Sequence, residues 1–311
     1  MFDGSLRWTM LTAVLMAALS SGCDFPRPEQ LDTADAAPAA MCDPLAPFAR
    51  VVPVMGLEGA GPQGTCRLSP DERTLYFSAD DIYVATRATR DDPFSAPVLL
   101  AINSSAVDYD PYVTPDATTL LFGSARETSG QRIWQAQASE ASADGFAPPT
   151  MISPLLAGLA DGDDEKQPLL SWDAAELWFV SDLVTADTKG EAEIWWVPRT
   201  AVGFGTPVLA TQLNSNRRDW LPMLSADRLT IYLASDRPIA SDPDGTLLHI
   251  WRSHRDSLAE DFPTPTPVDE LNSAGHNTVP GWLSEDNCRL YFPKATAGYS
   301  ESVLHAAVRD P

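Results

Sequence analysis

Five copies of one short motif constrain the fold of this chain more than any other feature. Each copy has an aliphatic residue, then Ser or Thr, then Asp two residues later, then a hydrophobic run that begins six residues after the Ser or Thr. The copies are LSPDERTLYF (Leu68–Phe77), VTPDATTLLF (Val113–Phe122), LSWDAAELWF (Leu170–Phe179), LSADRLTIYL (Leu224–Leu233) and LSEDNCRLYF (Leu283–Phe292). Their Ser/Thr residues are 45, 57, 54 and 59 residues apart. Repetition at this period indicates an array of similar structural units.

Each copy predicts a β-hairpin followed by two further strands. A short apolar strand ends at the Ser/Thr, the Asp caps the turn by accepting backbone N–H groups, and the aromatic run forms the second strand. A third strand is marked by Ile, an aromatic residue and usually Arg. A fourth follows a Phe that precedes a Pro, which suits an outer strand because a missing N–H donor costs little there. Four strands per unit, repeated five times, predict an all-β fold: a five-bladed β-propeller with four-stranded antiparallel blades.

The last unit lacks a fourth strand on its C-terminal side, because its third-strand segment ends at Arg309. The segment Phe48–Leu57 has the Phe-led pattern of a fourth strand but no unit before it. We therefore predict that the N-terminal strand closes the last blade, with Val51–Val54 beside Leu304–Val308. Closure of this kind removes the open edges of the ring.

These motifs resemble the repeats of TolB-type β-propellers, which occur in many proteins of the bacterial envelope. The resemblance covers residues 48–309 and is strongest in the first unit. It implies a periplasmic or surface propeller that is used mostly for protein interaction, and it carries over no catalytic residue. One departure is that the Gly that usually follows the turn Asp is replaced by Glu72, Ala117, Ala174, Arg228 and Asn287.

The N-terminus has the character of an export signal. Met10 to Cys23 is an apolar run of signal-peptide length that ends in Gly-Cys, and it resembles a lipoprotein signal in which Cys23 is lipidated. A plain signal peptide is the alternative, since Ser20 occupies the place where Leu is usual. We predict a signal peptide over residues 1–22, a flexible tether rich in Pro, Ala and acidic residues over 23–46, and the propeller over 47–311. The chain would be exported and membrane-anchored, in the periplasm or on the cell surface.

The formal net charge of −22 disfavours two classes of direct partner. Nucleic acid and an anionic membrane surface would both repel such a field, so we expect membrane contact only through the N-terminal lipid. We expect a monomer with no required cofactor. The segments Asp161–Glu165 and Ser241–Gly245 are rich in acidic residues and could bind Ca²⁺, but neither has the spacing of a known calcium loop, and turn formation is the alternative.

The four cysteines allow at most one intramolecular disulfide if Cys23 is lipidated. The alternating strand directions place Cys42 and Cys288 at the same end of the last blade, so we predict a bridge between them. Cys66 would enter the innermost strand of the first blade near the opposite rim and remain a buried free thiol.

Candidate binding residues lie on the loops that enter the innermost strands, around the mouth of the central channel. Six residues before the Ser/Thr, these segments carry Asp108, Glu165 and Asp219, and beside them lie Tyr109, Asp110, Trp220 and His276. Carboxylates next to aromatic rings could bind a cation or a sugar, or act as acid and base. The alternative is that the acidic residues are solvated and form turns.

Two functions follow from these observations. The first is a non-enzymatic, envelope-tethered propeller that binds a protein or another envelope component through one rim. The second is a glycan-active hydrolase with paired carboxylates at the channel mouth. Convergence of two or three carboxylates in a narrow pocket would favour the hydrolase, whereas a broad rim would favour binding.

Overall fold

The computed structural model describes residues 41–138, 144–201 and 203–310, and these residues form 22 β-strands and no helix. The predicted signal peptide (1–22), the lipidation site Cys23 and the tether up to residue 40 lie outside the described residues. No described segment is helical, long and apolar enough to span a bilayer.

The strands form five antiparallel sheets arranged as a propeller. The chain begins with β1 (Arg50–Pro53). The first blade is β2 (Cys66–Leu68), β3 (Thr74–Ser78), β4 (Ile82–Thr86) and β5 (Val98–Leu99). The second blade is β6 (Asp108–Val113), β7 (Thr119–Ser124), β8 (Arg132–Gln137) and β9 (Thr150–Met151). The third blade is β10 (Glu165–Leu170), β11 (Glu176–Ser181) and β12 (Glu193–Thr200), with an outer edge shared by β13 (Gly203–Phe204) and β14 (Val208–Leu209).

The last two blades complete the ring. The fourth blade is β15 (Asp219–Leu224), β16 (Thr230–Ser235), β17 (His249–His254) and β18 (Thr266–Pro267). In the fifth blade the innermost strand is divided into β19 (His276–Thr278) and β20 (Trp282–Leu283). Both segments pair antiparallel with β21 (Arg289–Thr296), which is followed by β22 (Ser302–Val308). The predicted fold class is confirmed.

The N-terminal strand closes the fifth blade. β1 pairs antiparallel with β22, and Val51 lies opposite Ala307 while Pro53 lies opposite His305. The register matches the predicted pairing of the two chain ends, so every blade has an outer strand.

The Ser/Thr-x-Asp motif closes the first hairpin of every blade in the same way. In the second blade the Thr114 hydroxyl donates to the Asp116 carboxylate at 2.6 Å, and the same oxygen accepts the Thr118 N–H at 3.0 Å. The residue after these turn positions has a positive φ in all five blades, between 53° and 61°: Glu72, Ala117, Ala174, Arg228 and Asn287. This left-handed conformation explains why Gly is usual at that place in the repeats that the sequence resembles.

The Arg at the end of the third strand and the Phe before the fourth strand form one contact. In three blades the guanidinium lies over the phenyl ring, an arrangement in which the cation is attracted by the face of the ring. The same Arg donates a hydrogen bond to the carbonyl of the left-handed turn residue, so it links the hairpin turn to the outer strand. The pairs are Arg87 over Phe94 at 4.4 Å, Arg255 over Phe262 at 4.2 Å and Arg309 over Phe48 at 3.9 Å.

Aromatic side chains of the second strands fill the space between neighbouring blades. The residue eight after the Ser/Thr is Phe in four blades, and these side chains are at most 1% exposed: Phe77, Phe122, Phe179 and Phe292. Each belongs to a cluster that contains residues of an adjacent blade. Burial of such a ring stabilises the fold by roughly 1.5–3 kcal/mol relative to leaving it exposed.

A disulfide joins Cys42 to Cys288, with their Cα atoms 5.1 Å apart. It connects the segment before β1 to the hairpin turn of the fifth blade. Cys66 is a buried free thiol, and burial raises its pKa to about 12, so the thiol stays protonated.

Candidate functional site

The three carboxylates that lie six residues before the Ser/Thr are fully buried. Asp108, Glu165 and Asp219 are each 0% exposed. They occupy the first position of β6, β10 and β15, where the loop from the preceding blade turns into the innermost strand. A ligand at the rim therefore has no access to them in this structure.

Two of these carboxylates form buried ion pairs across their own blade. Asp108 lies 2.6 Å from Arg126, and Asp219 lies 2.8 Å from Arg237. Asp219 also accepts hydrogen bonds from the backbone N–H and the hydroxyl of Ser215 in the incoming loop. Burial raises the pKa of Asp219, and the Arg237 cation opposes this rise.

Glu165 has the same structural role without a cation. Its carboxylate accepts the backbone N–H groups of Leu155 and Leu156 at 2.7 to 2.9 Å, and so holds the loop that enters the third blade. The expectation that Asp108, Glu165 and Asp219 face a ligand does not hold, because loop closure uses their hydrogen-bonding capacity.

His276 is not among the residues that line the cavity at the channel mouth. It begins β19 opposite Thr296, and its Nδ1 atom lies 3.0 Å from the Ala274 carbonyl. The neighbouring Asn277, rather than His276, lines the cavity described below.

β-Bulges turn three residues toward the channel, one of which, Asp110, is among the predicted rim residues. The pairing of β6, β10 and β15 with the next strand shifts register two residues after each strand begins. The bulged residues lie four before the Ser/Thr and have positive φ angles of 52°, 57° and 53°: Asp110, Gln167 and Leu221. A bulge bends the strand and redirects a side chain, and it commonly occurs beside functional sites.

These residues line a cavity of about 430 Å³ at the channel mouth. All five blades contribute to its lining, through Thr65, Asp110, Gln167, Leu221 and Asn277 among others. Tyr109 and Trp220, both predicted as rim residues, line it as well, and the exposed Asp80 and Tyr299 lie in its wall. The volume is within the range of small-ligand pockets.

The next ring of side chains fills the channel beneath this cavity. These residues lie two before the Ser/Thr, and each is at most 7% exposed: Arg67, Tyr112, Leu169, Met223 and Trp282. A space of only about 20 Å³ remains around them. The cavity is therefore a pocket at one end of the ring.

Asp110 is the buried carboxylate of this pocket. It is 8% exposed, and its Oδ1 atom accepts a hydrogen bond from the Thr65 hydroxyl at 2.8 Å. Its Oδ2 atom has no hydrogen bond of normal geometry, although the Gln167 amide is close enough to lower the pKa of the group. Burial raises the pKa of Asp110 overall, and Lys166 and Arg67 oppose this rise from a distance.

Two further polar groups of the pocket lack hydrogen-bond partners. They are the Tyr109 hydroxyl and the Trp220 indole N–H. The Trp220 ring already contacts two cations, since the Lys166 Nζ atom lies 5.4 Å from its centroid and the Arg218 guanidinium 5.1 Å. The wall of the pocket thus contains one carboxyl oxygen and two donors that have no hydrogen-bond partner among the described residues.

In the two acidic segments considered as calcium sites, several carboxylates accept backbone N–H groups. Asp163 accepts the Ala160 N–H, and Asp164 accepts the Gln131 N–H and pairs with Lys166. Asp242 accepts the N–H groups of Thr246 and Leu247. Within the part of the chain that the structure describes, no three His, Cys, Asp or Glu side chains are grouped as metal ligands.

The sequence marks the bulged residues by a Pro that directly follows each of them. Asp110, Gln167 and Leu221 are each followed by Pro, at Pro111, Pro168 and Pro222. Pro cannot donate to a β ladder, so three equivalent prolines inside innermost strands mark bulges. The offset of four residues before the Ser/Thr would therefore have added Gln167 and Leu221 to Asp110, which was already a candidate.

Comparison with solved structures supports the fold. A thermostable family-43 glycoside hydrolase shares 13% identity over 86% of this chain and 96% of its own, with a TM-score of 0.57. An α-L-arabinofuranosidase from Podospora anserina shares 12% over 84% and 96%, with a TM-score of 0.50. A putative TolB from Agrobacterium tumefaciens shares 14% over 76% and 71%, with a TM-score of 0.46. No protein-family model and no curated protein matches the sequence. At these identities the likeness to the two hydrolase structures establishes the fold alone.

Proposed function

We propose that this chain is a non-enzymatic binding protein of the bacterial envelope, which holds a protein or another envelope component at the channel mouth. The observation that carries the proposal is the pocket of about 430 Å³, in which one oxygen of a buried carboxylate and two other polar groups have no hydrogen-bond partner among the described residues. Unpaired buried polar groups cost free energy in the empty pocket, and a ligand that pairs with them recovers it.

The predicted N-terminus supports the envelope location. An export signal, a lipidated Cys23 and a tether before the propeller would hold the folded body at a membrane face. Mass analysis of the mature N-terminus tests this part of the proposal. A mature chain that starts at Cys23 with added lipid is expected, and an unmodified N-terminus at another residue would contradict the anchor.

The position of the carboxylates favours binding over glycan hydrolysis. Hydrolysis of a glycosidic bond generally needs two carboxyl groups that flank the bond. Among the described residues that line the pocket, Asp110 is the one buried carboxylate, and Asp80 is exposed at the wall. The predicted partners Asp108, Glu165 and Asp219 are buried in loop contacts instead.

A matched pair of charge reversals tests the rim. Asp80→Arg places a large cation in the pocket wall, whereas Asp91→Arg makes the same change on the exposed loop between β4 and β5 at the other end of the blade. Crosslinked capture from envelope fractions should lose its main product with Asp80→Arg and keep it with Asp91→Arg. Equal capture by both variants would exclude the pocket end as the binding surface.

A second assay separates binding from hydrolysis. Wild type and Asp110→Asn are incubated with chromogenic arabinofuranosides and xylosides. We expect no turnover above background by either protein. Turnover by the wild type that Asp110→Asn abolishes would replace the binding proposal with the hydrolase.

A further inference from the structure

Asp110 differs from the other deeply buried carboxylates in its partners. Among the described residues, every other carboxylate that is at most 8% exposed pairs with a cation or accepts backbone N–H groups. Cations pair with Glu72, Asp108, Asp219 and Asp236. Backbone N–H groups donate to Glu165, Glu193 and Asp242. Asp110 has the Thr65 hydroxyl as its one hydrogen-bond donor of normal geometry, with the neutral Gln167 amide near by, and no described Lys or Arg nitrogen lies within the 4.0 Å of an ion pair.

The two cations that act on the pKa of Asp110, Lys166 and Arg67, have other partners. Lys166 pairs with Asp164 at 2.7 Å. Arg67 donates to the Cys66 carbonyl at 2.9 Å, and its guanidinium faces the Tyr112 ring at 5.9 Å. Neither forms an ion pair with Asp110, so no described residue supplies a counter-ion for its ionised form.

The chemistry of the pocket selects the class of that counter-ion. A metal ion would need more ligands than this pocket groups together, since the described residues hold no cluster of three ligating side chains. An ammonium group needs only acceptors, and Asp110 Oδ2 supplies a charged one. The unpaired Tyr109 hydroxyl and Trp220 N–H can donate in addition, and the backbone carbonyls of a peptide that carries the ammonium group on a side chain are acceptors for them.

We infer that the pocket binds a lysine side chain of a polypeptide partner, with Asp110 as the counter-ion of its ammonium group. The inference rests on the proposed function, because it names the partner chemistry of the same site. It requires the pocket to discriminate a charged side chain from a neutral one of equal length. Binding would be a hydrogen-bonded ion pair in a site that is largely withdrawn from water.

Small probes test the inference on the folded protein. Nα-acetyl-lysine methylamide is titrated into the full-length protein, and binding is measured by changes in NMR chemical shifts. Nα-acetyl-norleucine methylamide, which has no charge, is the matched control. We expect the lysine probe to bind and the norleucine probe not to bind. Equal binding of the two probes, or no binding of the lysine probe, would overturn the inference without any mutation.

Variants then assign the counter-ion. Asp110→Asn keeps the shape of the side chain. It should lower the affinity for the lysine probe by about tenfold or more, as expected for loss of a hydrogen bond between charged groups. Asp80→Asn, at the exposed wall of the same pocket, should change the affinity less than about threefold. Unchanged binding by Asp110→Asn with a wild-type melting curve would exclude Asp110.

Two further arms identify the source of the ammonium group and separate this inference from the proposed function. Equal affinity for n-butylamine would overturn the polypeptide source, because a free amine lacks the peptide carbonyls. If Asp80→Arg abolishes envelope capture while the lysine probe fails to bind, the rim proposal stands and the lysine inference fails. If the lysine probe binds while Asp80→Arg leaves capture unchanged, the proposed function fails at this rim.

Discussion

The Arg309 guanidinium lies 3.9 Å from the centroid of the Phe48 ring. The contact joins the two ends of the described chain, because Phe48 precedes the closing strand β1 and Arg309 follows β22. Arg309 is 1% exposed and has no carboxylate partner in any described ion pair; it donates to the carbonyls of Pro44, Ala46 and Asn287 instead. A buried cation held by carbonyls and a ring therefore fixes the closure of the propeller.

Arg309→Met should destabilise the ring more than the same change at the equivalent place in another blade. The substitution keeps the apolar stem but leaves several buried carbonyls without a donor, and we expect a loss of about 3 kcal/mol or more in the free energy of unfolding. Arg255→Met is the matched control, because Arg255 lies over Phe262 but the chain continues on both sides of that strand. Urea denaturation measures both, and a larger loss for Arg255→Met would contradict the role of Arg309 in closure.

The Cys42–Cys288 bridge should contribute about 2–5 kcal/mol to the free energy of unfolding, since it joins two residues that are 246 positions apart in the sequence. The double variant Cys42→Ala/Cys288→Ala is compared with the wild type in the presence and absence of reductant. We expect the reductant to destabilise the wild type and to leave the variant unchanged. A reductant effect of equal size on both proteins would mean that another linkage is responsible.

Ala117→Gly should stabilise the second blade. Ala117 has a φ of 56°, a conformation that costs an L-residue roughly 1–2 kcal/mol and Gly much less. Part of this gain is offset by the greater freedom of Gly in the unfolded chain, so we expect a net increase of about 0.5 kcal/mol in the free energy of unfolding. Ala88→Gly is the control, because Ala88 is exposed and is not in the left-handed region. That change should lower stability, and thermal melts of the pair give the signs directly.

Stability should fall as the pH is lowered through the ordinary pKa of His, which is 6.5. His249 is fully buried on β17, and burial lowers its pKa while the neighbouring Asp242 partly opposes the shift. Below pH 6.5 the unfolded chain takes up a proton that the folded chain does not, so protonation favours unfolding. The contribution is therefore complete above the unfolded pKa and is lost as the pH falls toward the folded pKa.

Urea midpoints between about pH 7 and pH 5 measure this effect. His249→Gln should flatten part of the slope. Burial also lowers the pKa of His305, so His305→Gln is expected to remove a further part and serves as the comparison. An unchanged slope in both variants would show that the buried histidines do not control the acid sensitivity.

The fold was predictable from the sequence because five copies of each local signal agree. The Asp of each turn, the aromatic run and the Phe before each outer strand all recur at fixed offsets, and each has its own physical reason. The orphan segment around Phe48 then left closure by β1 as the arrangement that removes open strand edges. The pairing of Val51 with Ala307 follows from that requirement.

The candidate site was predictable only in its location. We predicted a rim at the ends of the innermost strands, where the cavity lies, but Asp108 and Asp219 could not be distinguished from Asp110 by residue type. The distinction depends on Arg126 and Arg237, which lie in the following hairpin and neutralise the first two carboxylates. It depends also on the bulge at Asp110, where the register shift changes the face of the sheet on which a side chain lies.

Cys42 comes before β1 in the chain, and this order determines how the ring responds to mechanical load. Tension on the segment that precedes Cys42 passes through a covalent bond to the turn at Cys288 before it reaches the hydrogen bonds between β1 and β22. A pull from that side is therefore carried by the fifth blade as a whole, and the outermost strand is not peeled away residue by residue. In the reduced protein the same pull would begin to separate the pair Arg50–Val308 first, and the ring would open from there.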